Sequence, residues 1–306
     1  MSWTPADDVM DHARVDLRGD MDFFVDPPAE IGEIFTATTS LKQGRQPKPS
    51  GLRAAIAGSA AFSVGLVAAV IVHMAGGETG TIAIVGVLGG AISGLIAWYA
   101  TGFRHTCSYV ARNGVAVFRC TGDRTNVKET VFLFERATDL RTSQTRHYTN
   151  GVYTGTNYSF TWSDRAGRAV HRFSGSYNSQ DGTPGVESPF HLASSAEIGW
   201  SMHLLERAQV ELEKSGAIQF NLGGSDYIRV GDGFLELCKG REIERLEQSN
   251  FGAIDIAQGV FTLRRKDARE GFLGIGRSGV WTFPYATMAN AKVFLLALDK
   301  LLGIKF

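Results

Sequence analysis

The glycine-rich segment 274–279 is the first place in this sequence where residue types and spacing suggest chemistry. It reads Gly-Ile-Gly-Arg-Ser-Gly and matches the G-x-G-x-x-G pattern of dinucleotide-binding proteins. That pattern binds a pyrophosphate where a strand enters it and a helix leaves it, because the helix N-terminus holds the phosphates. Here residues 280–284 follow as Val-Trp-Thr-Phe-Pro, which is typical of a strand. We therefore predict no dinucleotide site and no bound cofactor.

Catalytic and metal-binding arrangements are not indicated elsewhere in the sequence. The seven histidines show no H-x-x-x-H or H-x-H spacing, and the three cysteines, Cys107, Cys120 and Cys238, lack C-x-x-C spacing. Such spacings gather imidazoles or thiolates around one metal ion. The sequence also lacks P-loop, G-x-S-x-G and kinase signatures. We predict no catalytic residues and no metal site, and hence a protein that is not an enzyme.

The glycine-rich segment suggests a different kind of site when its flanks are included. Basic residues and large apolar residues surround it, an arrangement that lets apolar tips enter a bilayer while cations meet lipid phosphates. We expect this loop to contact anionic lipid headgroups or another membrane protein; the alternative is a solvated hairpin packed on its own sheet. The residues are Arg264, Arg265, Lys266, Arg269, Phe272, Leu273, Ile275 and Arg277.

Two apolar runs, 54–74 and 81–101, are expected to hold the rest of the chain at a membrane. Each has 21 residues, and neither contains Asp, Glu, Lys or Arg. About 20 helical residues cross the hydrocarbon core of a bilayer, and the six-residue connector allows only a tight turn. The sequence thus predicts a transmembrane helical hairpin over 54–101. The alternatives are a hairpin buried in a large soluble core and a secretory signal peptide, which the distance from the first residue disfavours.

Small residues recur every fourth position along both apolar runs. Such stripes let two helix backbones approach closely where lipid supplies no hydrophobic drive. We expect them to pack the two helices against each other, with a dimer between hairpins as the alternative. The stripes consist of Ala57, Ala61, Gly65 and Ala69 in the first run and Gly86, Gly90 and Gly94 in the second.

Charge around the hairpin predicts its orientation. Four basic residues lie within 42–53, and Arg104 and His105 follow the second run, whereas the connector carries only Glu78. By the positive-inside rule, both termini would lie in the cytoplasm and the protein would cross the inner (cell) membrane twice. The 31 acidic and 31 basic residues balance, which gives no indication of nucleic-acid binding.

The segment before the hairpin, 1–53, is predicted to be a largely irregular cytoplasmic arm. Its first part is acidic, it contains the pair Pro27-Pro28, and its last part is basic. The prolines favour a short helix over 29–40, since proline is well tolerated at a helix start. The rest of the arm is expected to be mostly extended.

The sequence after the hairpin predicts two small α+β units, 104–214 and 216–306. In each unit, short runs rich in Val, Thr, Tyr and Phe alternate with turn signals such as Asn-Gly, which is typical of antiparallel strands. A helical pattern then closes each unit. The apolar face of the first closing helix would consist of Ile198, Met202, Leu205, Ala208 and Leu212, and that of the second of Val293, Phe294, Ala297, Leu298 and Leu301.

Three short sequences in the second unit carry a family resemblance. They are Gly-Ala-Ile-Gln-Phe at 216–220, Gly-Val-Phe-Thr-Leu at 259–263 and Met-Ala-Asn-Ala-Lys-Val-Phe-Leu at 288–295. Together with the arm and the hairpin, they resemble a group of uncharacterised bacterial membrane proteins whose small domains are similar to pleckstrin-homology (PH) domains. The resemblance is clearest over 216–303 and extends over 104–214. It implies a PH-like barrel capped by a C-terminal helix, and it implies no catalytic residues.

These observations lead to a membrane-anchored binding or scaffolding protein that presents two PH-like domains at the cytoplasmic membrane face. Its expected partners are the lipid bilayer, anionic headgroups or another membrane protein. The alternative is a small subunit of a membrane transport or envelope-assembly complex, in which the glycine stripes pack against the helices of a larger partner.

Overall fold

The computed structural model describes residues 3–42, 49–102, 104–121, 126–179, 183–269 and 278–305. Within these ranges the chain forms two long apolar helices and two further units, each built from antiparallel sheets and one closing helix. The predicted α+β class is therefore confirmed.

The apolar hairpin consists of helix α1, Ser50–Met74, and helix α2, Thr79–Ala100. Both helices are long and apolar enough to cross a membrane, and nearly all of their apolar residues lie outside any protein core. Phe62 is 72% exposed and Val87 is 70% exposed. A hairpin at the centre of a soluble core would bury such side chains, so the observed packing differs from the soluble alternative.

The first unit contains a four-stranded sheet, a three-stranded sheet and helix α3. The strands of each sheet are antiparallel and follow chain order in space. The four-stranded sheet consists of β1 (Ile34–Thr39), β2 (Arg104–Ala111), β3 (Gly114–Thr121) and β4 (Lys128–Leu133). The three-stranded sheet consists of β5 (Asp139–Thr149), β6 (Val152–Ser163) and β7 (Ala169–Tyr177), and α3 spans Phe190–Ser215.

Strand β1 lies in the arm, before the hairpin, and pairs with β2, which follows it. The helix expected over 29–40 is wrong: a single 3-10 turn, Ala29–Ile31, precedes the strand. The strand sequence is Ile-Phe-Thr-Ala-Thr-Thr, and β-branched residues favour a pleated backbone over a helix. The first unit therefore begins before the hairpin, and α1 and α2 form the connection between its first two strands.

The rest of the arm has little regular structure but packs firmly on this sheet. Val9, Phe23 and Ile31 are buried against Tyr109 and Phe118 of the sheet. The backbone carbonyl of Met10 accepts a 3.0 Å hydrogen bond from the backbone N–H of Ala37 and so occupies part of the open edge of β1. An exposed strand edge is a template for unwanted pairing, and the arm shortens the edge that β1 exposes.

The second unit repeats this architecture with the same number and order of strands. Its four-stranded sheet consists of β8 (Ala217–Gly223), β9 (Asp226–Gly231), β10 (Phe234–Lys239) and β11 (Glu242–Glu247). Its three-stranded sheet consists of β12 (Phe251–Ala257), β13 (Val260–Arg269) and β14 (Ser278–Pro284), and helix α4 spans Ala291–Leu302. In this unit the first two strands are joined by two residues, Gly224 and Ser225, where the first unit carries the hairpin.

The closing helices pack by different means. Phe294 of α4 is fully buried and meets Phe220 and Phe261 edge-on at ring-centroid distances of 5.2 and 5.3 Å. In α3 the buried residues are mainly small, such as Ala193 and Ala196, together with Trp200. Of the predicted apolar face, Ala208 is buried and Ile198 and Leu212 are half-buried, whereas Met202 and Leu205 are exposed. The predicted face is therefore correct only in part, because small residues and one tryptophan allow the closer approach to the sheets.

The two units are joined through Asn290, in the left-handed conformation (φ 55°) just before α4. Its side-chain oxygen accepts hydrogen bonds of 2.9 Å from the backbone N–H of Leu140 and from Nε1 of Trp200. Its side-chain nitrogen donates to the carbonyl of Thr138 at 3.0 Å. One side chain of the second unit thus satisfies three polar groups of the first.

Candidate functional site

The predicted lipid-contact loop is described only along its first, basic flank. Arg264, Arg265, Lys266 and Arg269 lie on strand β13. The apolar residues Phe272, Leu273 and Ile275, together with Arg277, lie outside the described residues. The prediction that apolar tips and cations act together at this loop therefore stays a prediction.

Within that flank, Arg265 is already paired with carboxylates of its own unit. Its guanidinium donates to Asp267, and its Nη1 lies 3.1 Å from Oε1 of Glu244 on β11. Hydrogen bonding to Asp267 and then to Glu244 raises the pKa of Arg265 above its already high value. Arg265 would have to leave these partners to bind a lipid phosphate, whereas Lys266 and Arg269 are exposed.

The small-residue stripes of α1 and α2 face each other along the hairpin. A Cβ atom at Gly65 would lie 2.7 Å from the carbonyl oxygen of Gly86, and one at Gly90 would lie 2.7 Å from that of Ala61. At Gly94 a Cβ would lie 3.0 Å from Cβ of Ala61. Ala57 and Ala69 complete the contact, opposite Gly94 and Gly86 respectively. Glycine permits a backbone approach that a larger side chain would prevent.

A second feature, absent from the sequence-based expectations, is an apolar groove between α3 and α4. It has a volume of about 660 Å³, within the range typical of ligand and peptide sites. We call it the α3–α4 groove. Its walls are formed by Ile198, Met202 and Leu205 of α3 and by Leu295 and Leu296 of α4, and Arg14, Lys292, Asp299 and Lys305 lie around it.

Large apolar side chains are open to solvent in this groove. Met202 is 47% exposed, Leu205 is 44% exposed and Leu296 is 39% exposed. Ile198, Met202 and Leu205 recur at spacings of four and three residues, so they form one ridge of α3. This ridge is part of the apolar face that the sequence predicts; the structure places it beside the groove instead of against the sheets.

The arm brings Arg14 to the rim of the α3–α4 groove. Ser195 of α3 donates a 2.9 Å hydrogen bond to the carbonyl of His12. The next turn is closed by Asp11, whose backbone carbonyl accepts from Arg14 at 3.0 Å and whose side chain accepts from Val15 at 2.9 Å. Arg14 itself has a positive φ of 62°, which turns the chain back beside α3.

The charges around the groove are mostly positive. Lys292 is paired with Glu197 at 3.4 Å; burial raises the pKa of Glu197, and Lys292 partly opposes that shift. Among the described residues, Arg14 and Lys305 form no ion pair. Two cations therefore lie beside exposed apolar surface, and no carboxylate of the described residues is ion-paired with either of them.

A smaller concavity of about 350 Å³ lies on the other side of the Met202–Leu205 ridge. It is lined by Glu33, Arg112 and Glu206, of which Arg112 and Glu206 are ion-paired at 2.5 Å. Arg112 follows the far end of β2, the strand that begins next to the hairpin. Eight strand residues span about 26 Å, so this side of α3 lies at the end of the sheet opposite the hairpin.

Burial shifts the pKa values of several titratable groups in the first unit. Burial, together with nearby His191, lowers the pKa of His12 to about 3. Burial lowers the pKa of His171 to about 4 and raises that of the Cys107 thiol to about 12. Across the described ranges, no group of three or more His, Cys, Asp or Glu side chains is placed to hold a metal ion.

Sequence reasoning missed the groove for a physical reason. The sequence assigns the ridge of α3 to the buried apolar face of that helix, and only the relative placement of α3 and α4 leaves Met202 and Leu205 exposed beside Leu296. Arg14 lies 184 residues before Ile198 in the chain, and no local pattern connects the two. No protein-family model matches the chain, and no curated protein matches its sequence.

Proposed function

We propose that this chain is a membrane-anchored binding protein that holds two PH-like units at the cytoplasmic face of the cell membrane. The main support is the pairing of β1 with β2 across the apolar hairpin. Because these strands are hydrogen-bonded neighbours, both ends of the hairpin must lie on the same side of any bilayer that it enters. The basic residues on either side of the hairpin favour the cytoplasmic side.

The PH-like assignment rests on the repeated order of elements. Each unit has a four-stranded antiparallel sheet, then a three-stranded one, then a closing helix packed into the core. That order agrees with the barrel and C-terminal helix implied by the resemblance of the second unit. The anchor would keep both units near the membrane and so raise their local concentration for partners at that surface.

The exposed faces of α1 and α2 support a second role, that of a helix-packed subunit in a larger membrane complex. A shallow concavity of about 330 Å³ lies along the hairpin and is lined by Phe62, Leu66, Val87 and Ala91 beside the glycines. A partner helix could fill it. The small-residue stripes themselves are already used between α1 and α2, so they do not supply this interface alone.

The anchor is tested by alkaline carbonate washing and by cysteine labelling. We expect the full chain to remain with membranes after the wash. Cysteines introduced at Asn150, in an exposed turn, and at Glu78, in the hairpin connector, should differ: a membrane-impermeant maleimide should label only Glu78→Cys in intact cells and both after lysis. Release of the chain by carbonate, or labelling of Asn150→Cys in intact cells, would contradict the proposal.

A further inference from the structure

The α3–α4 groove has the properties of a docking site, and its chemistry specifies the partner. We propose that it binds an amphipathic α-helix of another protein, with an apolar stripe flanked by acidic side chains. This inference deepens the proposed function, on which it rests for the location at the membrane. The geometry, the position and the charge of the groove each favour such a partner.

The geometry favours a helix over an extended peptide. The groove runs between two helices, α3 and α4, whose backbone N–H and C=O groups are satisfied within each helix. It therefore offers side chains and no hydrogen-bonding ladder, which an extended peptide would need. The ridge formed by Ile198, Met202 and Leu205 spans about two helical turns. A partner helix with apolar residues at matching i, i+3 and i+7 spacing would pack into it.

The position disfavours a lipid as occupant. Met202 and Leu205 line both the groove and the smaller concavity that contains Arg112. Arg112 follows the last residue of β2, about 26 Å along the strand from the end that adjoins the hairpin. The apolar surface of the groove thus lies towards the end of the sheet away from the hairpin, a position that favours a partner from the aqueous phase.

The charges require an acidic partner. A helix that covers Leu205 and Leu296 would also remove water from the neighbouring cations Arg14 and Lys305. Removing water from an unpaired cation is costly unless a carboxylate compensates it. Among the described residues that line the groove, Asp299 is the one acidic residue, against three basic residues. A second copy of this chain bound symmetrically would present the same excess of positive charge, so it does not meet this requirement.

The proposal is tested by selecting partners from a displayed library of random 18-residue peptides, with the full chain held in lipid nanodiscs as bait. We expect the enriched peptides to share an apolar helical stripe flanked by Asp or Glu. A labelled enriched peptide is then titrated by fluorescence anisotropy. Leu205→Glu should weaken its binding about tenfold or more, whereas Val210→Glu should have no effect. Val210 is the matched control because it is 63% exposed on the same helix and outside the groove.

A charge reversal tests the electrostatic part separately. The double variant Arg14→Glu with Lys305→Glu should bind the enriched peptide about tenfold more weakly. It should bind a version with lysines in place of the acidic residues more tightly than the parent does. Both side chains lie on the surface, and an unchanged thermal unfolding profile would confirm that each variant folds.

Several outcomes would overturn the proposal. These are no enrichment, enrichment of basic or non-helical peptides, or equal binding by Leu205→Glu and the parent. A concentration-dependent dimer abolished by Leu205→Glu would assign the groove to a second copy instead. Carbonate retention is measured on the cell membranes from which each variant is purified, so failure of the membrane anchor and failure of the groove are separate results.

Discussion

His12 shows how one side chain can fix an otherwise irregular segment. It is buried, and its ring nitrogens hydrogen-bond to Thr36 on β1 at 2.8 Å and to Ser108 on β2 at 2.9 Å. Its backbone carbonyl accepts from Ser195 on α3. The neutral imidazole thus connects the arm, the sheet and the closing helix, and a proton added to it would place an uncompensated charge in the core.

The pKa of His12 predicts loss of stability in acid. The ordinary pKa of histidine is 6.5, and burial lowers that of His12 to about 3 in the folded state. Between pH 6.5 and pH 3 the imidazole of His12 is protonated in the unfolded chain and neutral in the folded chain. The free energy of unfolding therefore has its full value above pH 6.5 and decreases progressively as the pH falls towards 3. The slope for one such group approaches about 1.4 kcal/mol per pH unit, and His171 acts in the same direction.

Urea unfolding in detergent at pH 7.5, 6.0 and 5.0 measures this slope. We expect His12→Gln to lower the stability at pH 7.5 and to make the pH dependence shallower. His147→Gln is the control, because His147 is exposed on the β5–β6 hairpin. Identical slopes for His12→Gln and the parent chain would refute the prediction.

The hydrogen bonds of Asn290 to the first unit should stabilise both units against unfolding. Asn290→Ala removes three hydrogen bonds, two of which satisfy the backbone N–H of Leu140 and the indole N–H of Trp200. Leaving such groups unpaired costs about 1–3 kcal/mol each, so we expect a loss of about 3 kcal/mol in the free energy of unfolding. Gln258→Ala is the control, since Gln258 has a similar positive φ of 51° and thus the same backbone strain. Equal effects of the two substitutions would show that Asn290 acts through its backbone alone.

At the scale of elements, the sequence predicts what periodicity encodes and misses what long-range pairing decides. The apolar runs, the strand-rich units and both closing helices follow from local patterns. Strand β1 does not, because its partner β2 lies beyond the hairpin and its neighbouring prolines favour a helix start. The exposure of the α3 ridge could not be predicted either, since an apolar period does not show which side of a helix packs against a sheet.

The close contact of α1 and α2 predicts different effects for two glycines of the hairpin. Gly90→Leu must push the helices apart, since even a Cβ there would lie 2.7 Å from the carbonyl oxygen of Ala61. Gly58→Leu should be harmless, because nothing lies within 4 Å of its Cβ position. We expect the Gly90 variant to lose about 1–3 kcal/mol of stability in detergent.

A disulfide reports this separation directly. A Cβ at Gly89 would lie 3.6 Å from Cβ of Ala68, a distance suited to a disulfide. The pair Ala68→Cys and Gly89→Cys should therefore oxidise readily in the parent and with Gly58→Leu, but slowly with Gly90→Leu. Equal rates of oxidation in all three backgrounds would show that the stripes do not set the helix spacing.

For the whole molecule, the hairpin is an insertion into a unit whose sheet is complete without it. Lys42 falls opposite Arg104 when the β1–β2 register, with Thr39 opposite Cys107, is continued. The equivalent connection in the second unit has only two residues, and a two-residue turn suits an antiparallel pair. Replacing 43–103 by Asn-Gly should thus yield a water-soluble protein with both units folded.

A fragment that starts at residue 104 should behave differently, because it lacks β1 and the buried arm residues Val9, Phe23 and Ile31. We expect it to aggregate or to unfold at a lower temperature than the Asn-Gly variant, as measured by circular dichroism and size-exclusion chromatography. A well-folded fragment of 104–305 would mean that the arm contributes nothing essential to the first unit.

The order of synthesis gives the β1–β2 pairing a further consequence. β1 leaves the ribosome before the hairpin, and its partner β2 leaves after it. If the hairpin enters a bilayer, the first sheet can be completed only after that insertion. If only one helix inserted, the two strands would be held on opposite faces of the bilayer and could never meet. Such a chain would keep an open strand edge and bare apolar side chains, which chaperones and proteases recognise. In a chain whose hairpin inserts into a bilayer, completion of this sheet would therefore distinguish correctly threaded molecules from misthreaded ones.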